Sequence, residues 1–306
     1  MNNTNSSKNI LVSGANGFLG TKVVSALCAE GYNVTGIVRS MQVRSTLPEK
    51  RNLQWLVRDL SINQITTQEA NCFDTIVHLA GATDRRGEDL LMHLHANEMT
   101  TIGLTMHDSK SVNKFIFASS QVVYGNPNSL SIDESFPTDS TYSNYATSKL
   151  NAENWLKIHQ SKANNMVLSL RLTGFINGGG IVDTLIRDCL SGNPVELFGY
   201  GKISRDYIHS SFFINVLLRF LSLPPSCEYL TLNIGSGQAL PLVQIASLIK
   251  DYTSSNSEII LSPKQAIRDN FIFNIQNLIS KVGINPPPLD KAILDYLQEI
   301  NIKSVC

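Results

Sequence analysis

Residues 8–20, KNILVSGANGFLG, constrain the fold more than any other stretch of this 306-residue chain. Ile10, Leu11 and Val12 form a short apolar run that reads as a strand buried on both faces. A turn follows at once, with Gly14, Gly17 and Gly20 in G-x-x-G-x-x-G spacing. Residues 21–30 then carry a helical pattern, with Val23, Val24 and Leu27 on one face and Gly31 as its stop. Gly14 allows the tight turn. Gly17 lets backbone approach a pyrophosphate at the positive end of the helix, and Gly20 lets helix and strand pack closely. A glycine-rich loop alone would carry no such meaning; strand, turn and helix in this order predict a dinucleotide site.

The pattern repeats along the first half. Strands are expected at 33–38, 53–57, 73–80 and 113–119, with helices at 88–107 and 145–160 and a sixth strand at 167–173. Strands alternating with helices predict an α/β fold with a doubly wound parallel sheet. After Gly178-Gly179-Gly180 the pattern loosens into shorter elements, with helices at 181–190, 212–221, 241–250 and 289–299 and a strand at 229–234. The division this suggests is a dinucleotide-binding domain at 1–173, with 204–235 returning to it. Residues 174–203 and 236–306 then form a smaller, interleaved C-terminal α/β lobe.

Charge excludes some partners. Lys plus Arg equals Asp plus Glu at 25 each, so no basic footprint for nucleic acid exists. The cysteines, at 28, 72, 189, 227 and 306, show no C-x-x-C spacing and read as free thiols of a reducing compartment. The polar N-terminus runs straight into the first strand and does not read as a signal peptide. The apolar stretch at 212–221 is broken by Asn215 and Arg219 and is too short to span a bilayer. The expectation is a cytoplasmic protein without a membrane partner. His93, His95 and His107 lack a carboxylate at ligand spacing, so no metal is expected. His78, inside an apolar strand, reads as a core histidine.

Two positions bear on the cofactor. Arg39 stands about 20 residues past the glycine turn, where an acid would bond an adenine-ribose 2′-hydroxyl and select NAD. An arginine there suits a 2′-phosphate and favours NADP, with NAD as the alternative; a solvated arginine at a strand end is the plainer reading. Asp59 is placed either to bond the adenine amino group or to cap the next helix.

Tyr145 and Lys149 lie four apart on an expected helix and share one face. A free tyrosine, with a pKa near ~10, is a poor acid or base at neutral pH. A nearby lysine cation favours the phenolate and lowers that value. Ser120, ending the neighbouring strand, is placed to hold the reacting oxygen while Tyr145 exchanges its proton. The three form a proton relay suited to hydride transfer at a secondary alcohol or ketone.

At this point the sequence resembles the extended short-chain dehydrogenase/reductases of the NAD-dependent epimerase/dehydratase family, which act on nucleotide sugars. The matching segments are SGANGFLG at 13–20, DTIVHLAGA at 74–82, KFIFASSQVVYG at 114–125 and YATSK at 145–149. LRLTGF at 170–175, GKISRDYIH at 201–209 and LNIGSG at 232–237 extend the match over nearly the whole chain. The resemblance implies a Rossmann domain, a small C-terminal lobe that binds a nucleoside-diphosphate sugar in the cleft, and a homodimer. It implies the relay roles of Ser120, Tyr145 and Lys149. Cofactor contacts are implied for Gly14, Gly17, Phe18, Leu19, Gly20, Arg39, Asp59, Leu60, Leu79, Ala80 and Gly81, and for Tyr145 and Lys149. Substrate contacts are implied for Ser120, Gln121, Arg205 and Arg268, the arginines toward the diphosphate.

Departures narrow the reaction. Dehydratases of the family carry Asp-Glu after the catalytic Ser or Thr; Gln121 and Val122 stand there and cannot move those protons. Gly174 replaces a usual Asn, and Ser211-Phe212 replace an acid-containing stretch. The expected activity is an NADP(H)-dependent reductase of a nucleoside-diphosphate 4-keto-6-deoxyhexose. The alternatives are an NAD-dependent nucleotide-sugar 4-epimerase and, from another class, a non-catalytic dinucleotide-binding sensor.

Overall fold

The computed structural model describes residues 8–40, 49–83, 89–266 and 268–303. Contacts divide the chain into two units. The first gathers the described residues of 1–125, 138–171 and 221–231; the second gathers those of 126–137, 172–220 and 232–306. Residues 204–220 therefore group with the second unit and 221–231 with the first.

The first unit is built on a seven-stranded sheet of order β11-β7-β5-β4-β1-β2-β3. Its members are β1 (Asn9–Ser13), β2 (Asn33–Val38), β3 (Leu53–Val57), β4 (Thr75–His78), β5 (Lys114–Ser120), β7 (Met166–Leu172) and β11 (Tyr229–Ile234). Pairs β1–β2, β2–β3, β1–β4 and β4–β5 are parallel. The chain winds outward from β1 to β3, then returns to β4 on the other side of β1. That reversal opens a crevice beyond the carboxyl ends of β1 and β4, where such sheets bind ligands. Strands with apolar residues on both faces bury completely: Ile10, Leu11 and Val12 are wholly inaccessible. Leu11, Ile76, Phe115, Phe117, Leu156 and Val167 share one core. Each such side chain contributes about 1.5–3 kcal/mol of burial.

Two helices differ from the sequence expectation. The one expected at 88–107 starts at Leu90, runs as α-helix to His93, widens to a π-helix over Leu94–Met99, and resumes as α-helix over Thr100–Thr105. Residue 88 lies outside the described residues. The helix expected at 145–160 spans Asn144–Ala163, opened by the Ser143 hydroxyl accepting from the Ala146 amide at 3.1 Å. No α-helix follows β5 directly. A 3-10 turn at Gln121–Tyr124 comes next, then a strand of the second unit, β6 (Ser129–Ile132).

In the second unit β6 joins β14 (Phe271–Phe273), β10 (Ser204–Ile208) and β12 (Ala239–Pro241) in one sheet, with β8 (Gly174–Phe175) paired to β10. A separate pair joins β9 (Val195–Leu197) and β13 (Ile259–Leu261). Its core includes Ile186, Ile245, Ile249 and Ile293. Among the described residues no helix is long and apolar enough to cross a membrane, and no group of three or more His, Cys, Asp or Glu is assembled for a metal.

Candidate active site

The glycine turn meets the segment after β4 with no room for side chains. Gly14 has φ +66°, and a Cβ there would fall 2.6 Å from the Ala80 nitrogen. A Cβ on Gly20 would fall 2.0 Å from the Gly14 carbonyl oxygen. Gly17 is the N-cap of the Phe18–Ala29 helix; no side chain caps it and no acid stands in the first turn. The positive helix end thus has no carboxylate of its own first turn against it, which suits an anion. Phe18 is exposed and Leu19 half-buried at this end. These features fit a dinucleotide pyrophosphate.

Arg39 follows β2 and is exposed. Asp59 lies just past β3, and its Oδ1 accepts from the Ser61 amide at 3.0 Å and the Ser61 hydroxyl at 2.6 Å. The Ser61 hydroxyl, chiefly, holds this carboxyl below the usual range, and the charges of Arg39 and His95 add to that. Asp59 therefore caps a turn, which corrects the helix-cap alternative: the next helix, Thr67–Ala70, is opened by Thr66 in a capping box with Glu69. Leu60 is buried, and its carbonyl oxygen would lie 2.1 Å from a Cβ on Gly103.

Tyr145 and Lys149 sit one turn apart on the Asn144–Ala163 helix, both buried. Lys149 Nζ donates to the Ala118 carbonyl at 2.9 Å and stands 4.7 Å from the centre of the Phe117 ring. A Cβ on Gly81 would come within 3.2 Å of that nitrogen. Burial pulls Lys149 down to about 8, against the opposing charge of Glu153. Ser120 ends β5, and its hydroxyl accepts from the Val122 amide at 3.2 Å. Val122 in turn packs with Tyr145 and Ala146. The relay residues, Leu79, Ala80 and Gly81, and the glycine turn all belong to the first unit.

A residue absent from the sequence reading ties these parts together. Asn97, fully buried in the π-helical segment, accepts from the Ala82 amide at 2.9 Å and donates to the Ala82 carbonyl at 3.2 Å. It also donates to Ser148 Oγ at 2.8 Å, whose hydroxyl donates to the Tyr145 carbonyl at 2.9 Å. His78 supplies the second tie. Ser13 Oγ accepts from the Ala80 amide at 3.3 Å and lies 2.7 Å from His78 Nδ1, to which it donates in the neutral Nε2–H tautomer that the Thr101 bond requires. His78 Nε2–H then donates to Thr101 Oγ1 at 2.9 Å, and Thr101 donates to the Asn97 carbonyl at 2.6 Å. His78 is a core histidine with both ring nitrogens bonded. Burial first, and the Lys149 charge second, push it down to about 3.

The remaining sequence-predicted residues divide between the units. Gln121 is half-buried in the 3-10 turn of the first unit. Arg205 lies in the second unit on β10, where its Nη1 donates to the Asp269 carbonyl at 2.7 Å and its guanidinium stands 5.2 Å from the Phe271 ring centre. The half-buried Arg268 precedes Asp269, so the two arginines belong to one neighbourhood. Asp206, beside Arg205, is fully buried and accepts from the Ser236 amide at 2.7 Å, the Ser236 hydroxyl at 2.6 Å and the Gly237 amide at 3.0 Å. Gly174 is small for a local reason: a Cβ would lie 2.9 Å from the Tyr207 ring.

A profile of the NAD dependent epimerase/dehydratase family matches residues 10–235. The chain belongs to that family. It is 26% identical over 280 residues to YtcB of Bacillus subtilis, described as an uncharacterized UDP-glucose epimerase, across 84% of this chain and 86% of that one. It is 21% identical over 306 aligned residues to a dTDP-4-dehydro-6-deoxy-D-allose reductase of a Streptomyces species, across 92% and 93%. Its fold matches UDP-glucuronic acid 4-epimerase from Bacillus cereus, solved in complex with NAD, at TM-score 0.78 and 21% identity over 95% of this chain and 99% of that one.

As a member of the NAD dependent epimerase/dehydratase family, the protein is an NAD(P)-dependent enzyme that modifies nucleotide sugars, on a Rossmann-type sheet. In this member Val122, at the position where dehydratases carry an acid, sits in an apolar cluster against Tyr145. A carboxylate there would replace part of an apolar cluster. Asn97 was missable because a single Asn in an expected helix is ordinary. The signal was its place four residues after His93 on a face that is otherwise buried.

Proposed function

We propose that the protein is an NADP(H)-dependent reductase of a nucleoside-diphosphate 4-keto-6-deoxyhexose. Arg39 carries this reading, because it is exposed at the end of β2 and offers a cation where an acid would select NAD. The bound dinucleotide supplies the hydride to C4 of the sugar. The roles of the chain's own residues are inferred from their placement. Ser120 holds the C4 oxygen by hydrogen bonding, and Tyr145 gives that oxygen its proton. Lys149, at its place one turn along, favours the resulting phenolate and bonds the cofactor ribose. Gly14, Gly17, Phe18, Leu19 and Gly20 hold the pyrophosphate; Asp59 and Leu60 border the adenine; Leu79, Ala80 and Gly81 border the nicotinamide side. Arg205 and Arg268 bind the diphosphate, and Gln121 borders the sugar. The working form is assigned as a cytoplasmic homodimer.

One observation favours a second reading, an NAD-dependent 4-epimerase: the similarity in sequence to YtcB and in fold to the Bacillus cereus epimerase. An epimerase returns the hydride to the same sugar and retains its cofactor, so one assay separates the two. Purified enzyme is mixed with NADPH and a deoxythymidine- or uridine-diphosphate 4-keto-6-deoxyhexose, and separately with UDP-glucose and no added cofactor. Loss of NADPH absorbance matched one-to-one by alcohol product supports the reductase. Interconversion of UDP-glucose and UDP-galactose without net cofactor turnover overturns it.

A further inference from the structure

The relay helix carries a carboxylate that the reaction as described does not use. Glu153 stands one turn beyond Lys149 and is 1% exposed. Its Oε1 accepts from the Ser119 hydroxyl at 2.5 Å and from Arg171 Nε at 3.1 Å, and its Oε2 accepts from Arg171 Nη2 at 2.8 Å. Arg171, also buried on β7, completes its fork by donating to the Tyr124 hydroxyl at 2.8 Å, with its guanidinium 4.8 Å from that ring's centre. Ala118, Ser119 and Ser120 are consecutive at the end of β5. The first is held by Lys149 and the second by Glu153; the third is the relay serine. Tyr124 ends the 3-10 turn that Ser120 opens. Every one of these residues lies in the first unit.

We infer that Glu153 is a positioning residue for the reaction: through Ser119 and Arg171 it fixes the end of β5 that carries Ser120, and it supplies the buried negative charge that keeps Lys149 cationic beside Tyr145. This rests on the relay reading of Ser120, Tyr145 and Lys149. A buried ion pair contributes little net stability over an apolar pair of the same shape. Stability alone therefore does not explain a carboxylate one helical turn from the relay lysine. The groups that face this carboxylate and its lysine from neighbouring elements are Arg171, Tyr229 and His78; beyond them Tyr124 is bonded to Arg171, Lys157 stands over the Tyr229 ring, and His93 lies 5.6 Å from the Tyr145 ring. Burial pushes Tyr229 upward and His78 down to about 3; against burial, which lowers it, the bonds to Glu153 push Arg171 upward. Lys149, near 8, is the neighbour placed to lose charge on the alkaline side of neutrality.

The test measures single-turnover hydride transfer against pH in full-length holoenzyme, for Glu153→Gln, Ser119→Ala and, as a control on the relay itself, Tyr145→Phe. Glu153→Gln keeps shape and removes charge. It should move the alkaline fall in rate to lower pH by about one unit, since the Glu153 charge acts to raise the Lys149 pKa and a neighbouring opposite charge shifts a pKa by that order. Ser119→Ala leaves the ion pair intact. It should slow transfer several-fold at every pH, with cofactor affinity unchanged. Should Glu153→Gln fail to fold because Arg171 is left unpaired, Glu153→Gln/Arg171→Met removes both charges and should move the fall in the same direction by less, because loss of the Arg171 cation partly offsets loss of the carboxylate. Unmoved pH profiles in whichever Glu153 variant folds, with an unaltered rate in Ser119→Ala, overturn the inference and leave a structural brace. If Tyr145→Phe itself keeps the full rate, the relay reading fails instead.

Discussion

The first unit keeps two buried histidines, His78 and His159, neutral, whereas the second buries the Asp206 carboxylate among donors. His78 is driven down to about 3 by burial and then by the Lys149 charge; His159 is driven down to about 4 by burial and then by His107, whose ring stands 5.7 Å away. In the second unit burial pushes Asp206 up to about 6, against hydrogen bonds from Ser236, Gly237 and Phe273. The two units should therefore answer acid in opposite senses. An unfolded imidazole takes up a proton near pH ~6.5, which the folded histidines refuse until pH 3–4. Their neutral burial costs nothing above pH ~6.5, and stability is lost as pH falls below it. An unfolded aspartate titrates near ~3.9, below the folded value, so folding gains from Asp206 in acid and loses that gain as pH rises through about 6. A second contrast runs alongside the first. The residues proposed for the relay belong to one unit and both arginines proposed for the diphosphate to the other.

The largest expected effect tests the chemical half of that contrast. Tyr145→Phe keeps the ring and removes the exchangeable proton, so single-turnover hydride transfer should fall by ~10²–10⁴-fold, the usual contribution of general acid catalysis. Cofactor affinity should change little, while Lys149→Met should lower rate and cofactor binding together. Stopped-flow transients and cofactor titration separate the two variants. Equal losses in both assays for Tyr145→Phe would erase the distinction.

Acidification comes next. Between pH 7 and 4.5 the first unit should lose on the order of 3–5 kcal/mol, from the two histidine shifts at ~1.4 kcal/mol per pKa unit. Amide hydrogen exchange at pH 5 should rise in β1, β4 and β5 before it rises in β10 and β14. The reverse order would show that burial of Asp206, not of His78 and His159, governs acid behaviour.

Arg205→Leu addresses binding. Loss of a charge-assisted hydrogen bond costs about 1.5–3 kcal/mol, so KM for the nucleotide sugar should rise by about 10–150-fold with kcat nearly unchanged. A fall in kcat of that size at constant KM would place Arg205 in the chemical step and break the division between the units.

An effect no larger than that at Arg205 sharpens the cofactor assignment. Arg39→Asp should weaken NADPH binding by about 1.5–3 kcal/mol and leave NADH binding the same or better. Wild-type preference for NADH, measured by fluorescence titration, would remove the basis for NADP.

Much of the first unit was readable because its determinants are local. Gly14, Gly17 and Gly20 act within one turn, and Tyr145 and Lys149 within one helical turn, so spacing along the chain is spacing in space. The second unit was harder for the converse reason. β6 reads as a polar loop until Phe271, far along the chain, pairs with Ser129. The donors around Asp206 come from residues 236, 237 and 273, which no periodicity links to β10. Within the first unit Glu153 and Arg171 were missed as well. Each looks like a surface charge until β7 and the relay helix bury them together.

The widened stretch at Leu94–Met99 works as a phase adjuster. A continuous α-helix from Leu90 to Thr105 would turn by a fixed 100° per residue, and both its ends would be tied to one face. The π-helical turns take up surplus residue count, so Asn97 can meet Ala82 and Ser148 while Gly103, further along, still lies against the Leu60 carbonyl. Removing any one residue from 94–99 would restore ordinary winding and rotate one end by about 100° against its neighbours. Either Asn97 would leave the relay helix or a bulkier side chain would strike the Leu60 backbone. Length variation among relatives should therefore avoid this segment, although a change of one residue in most helix ends passes unnoticed.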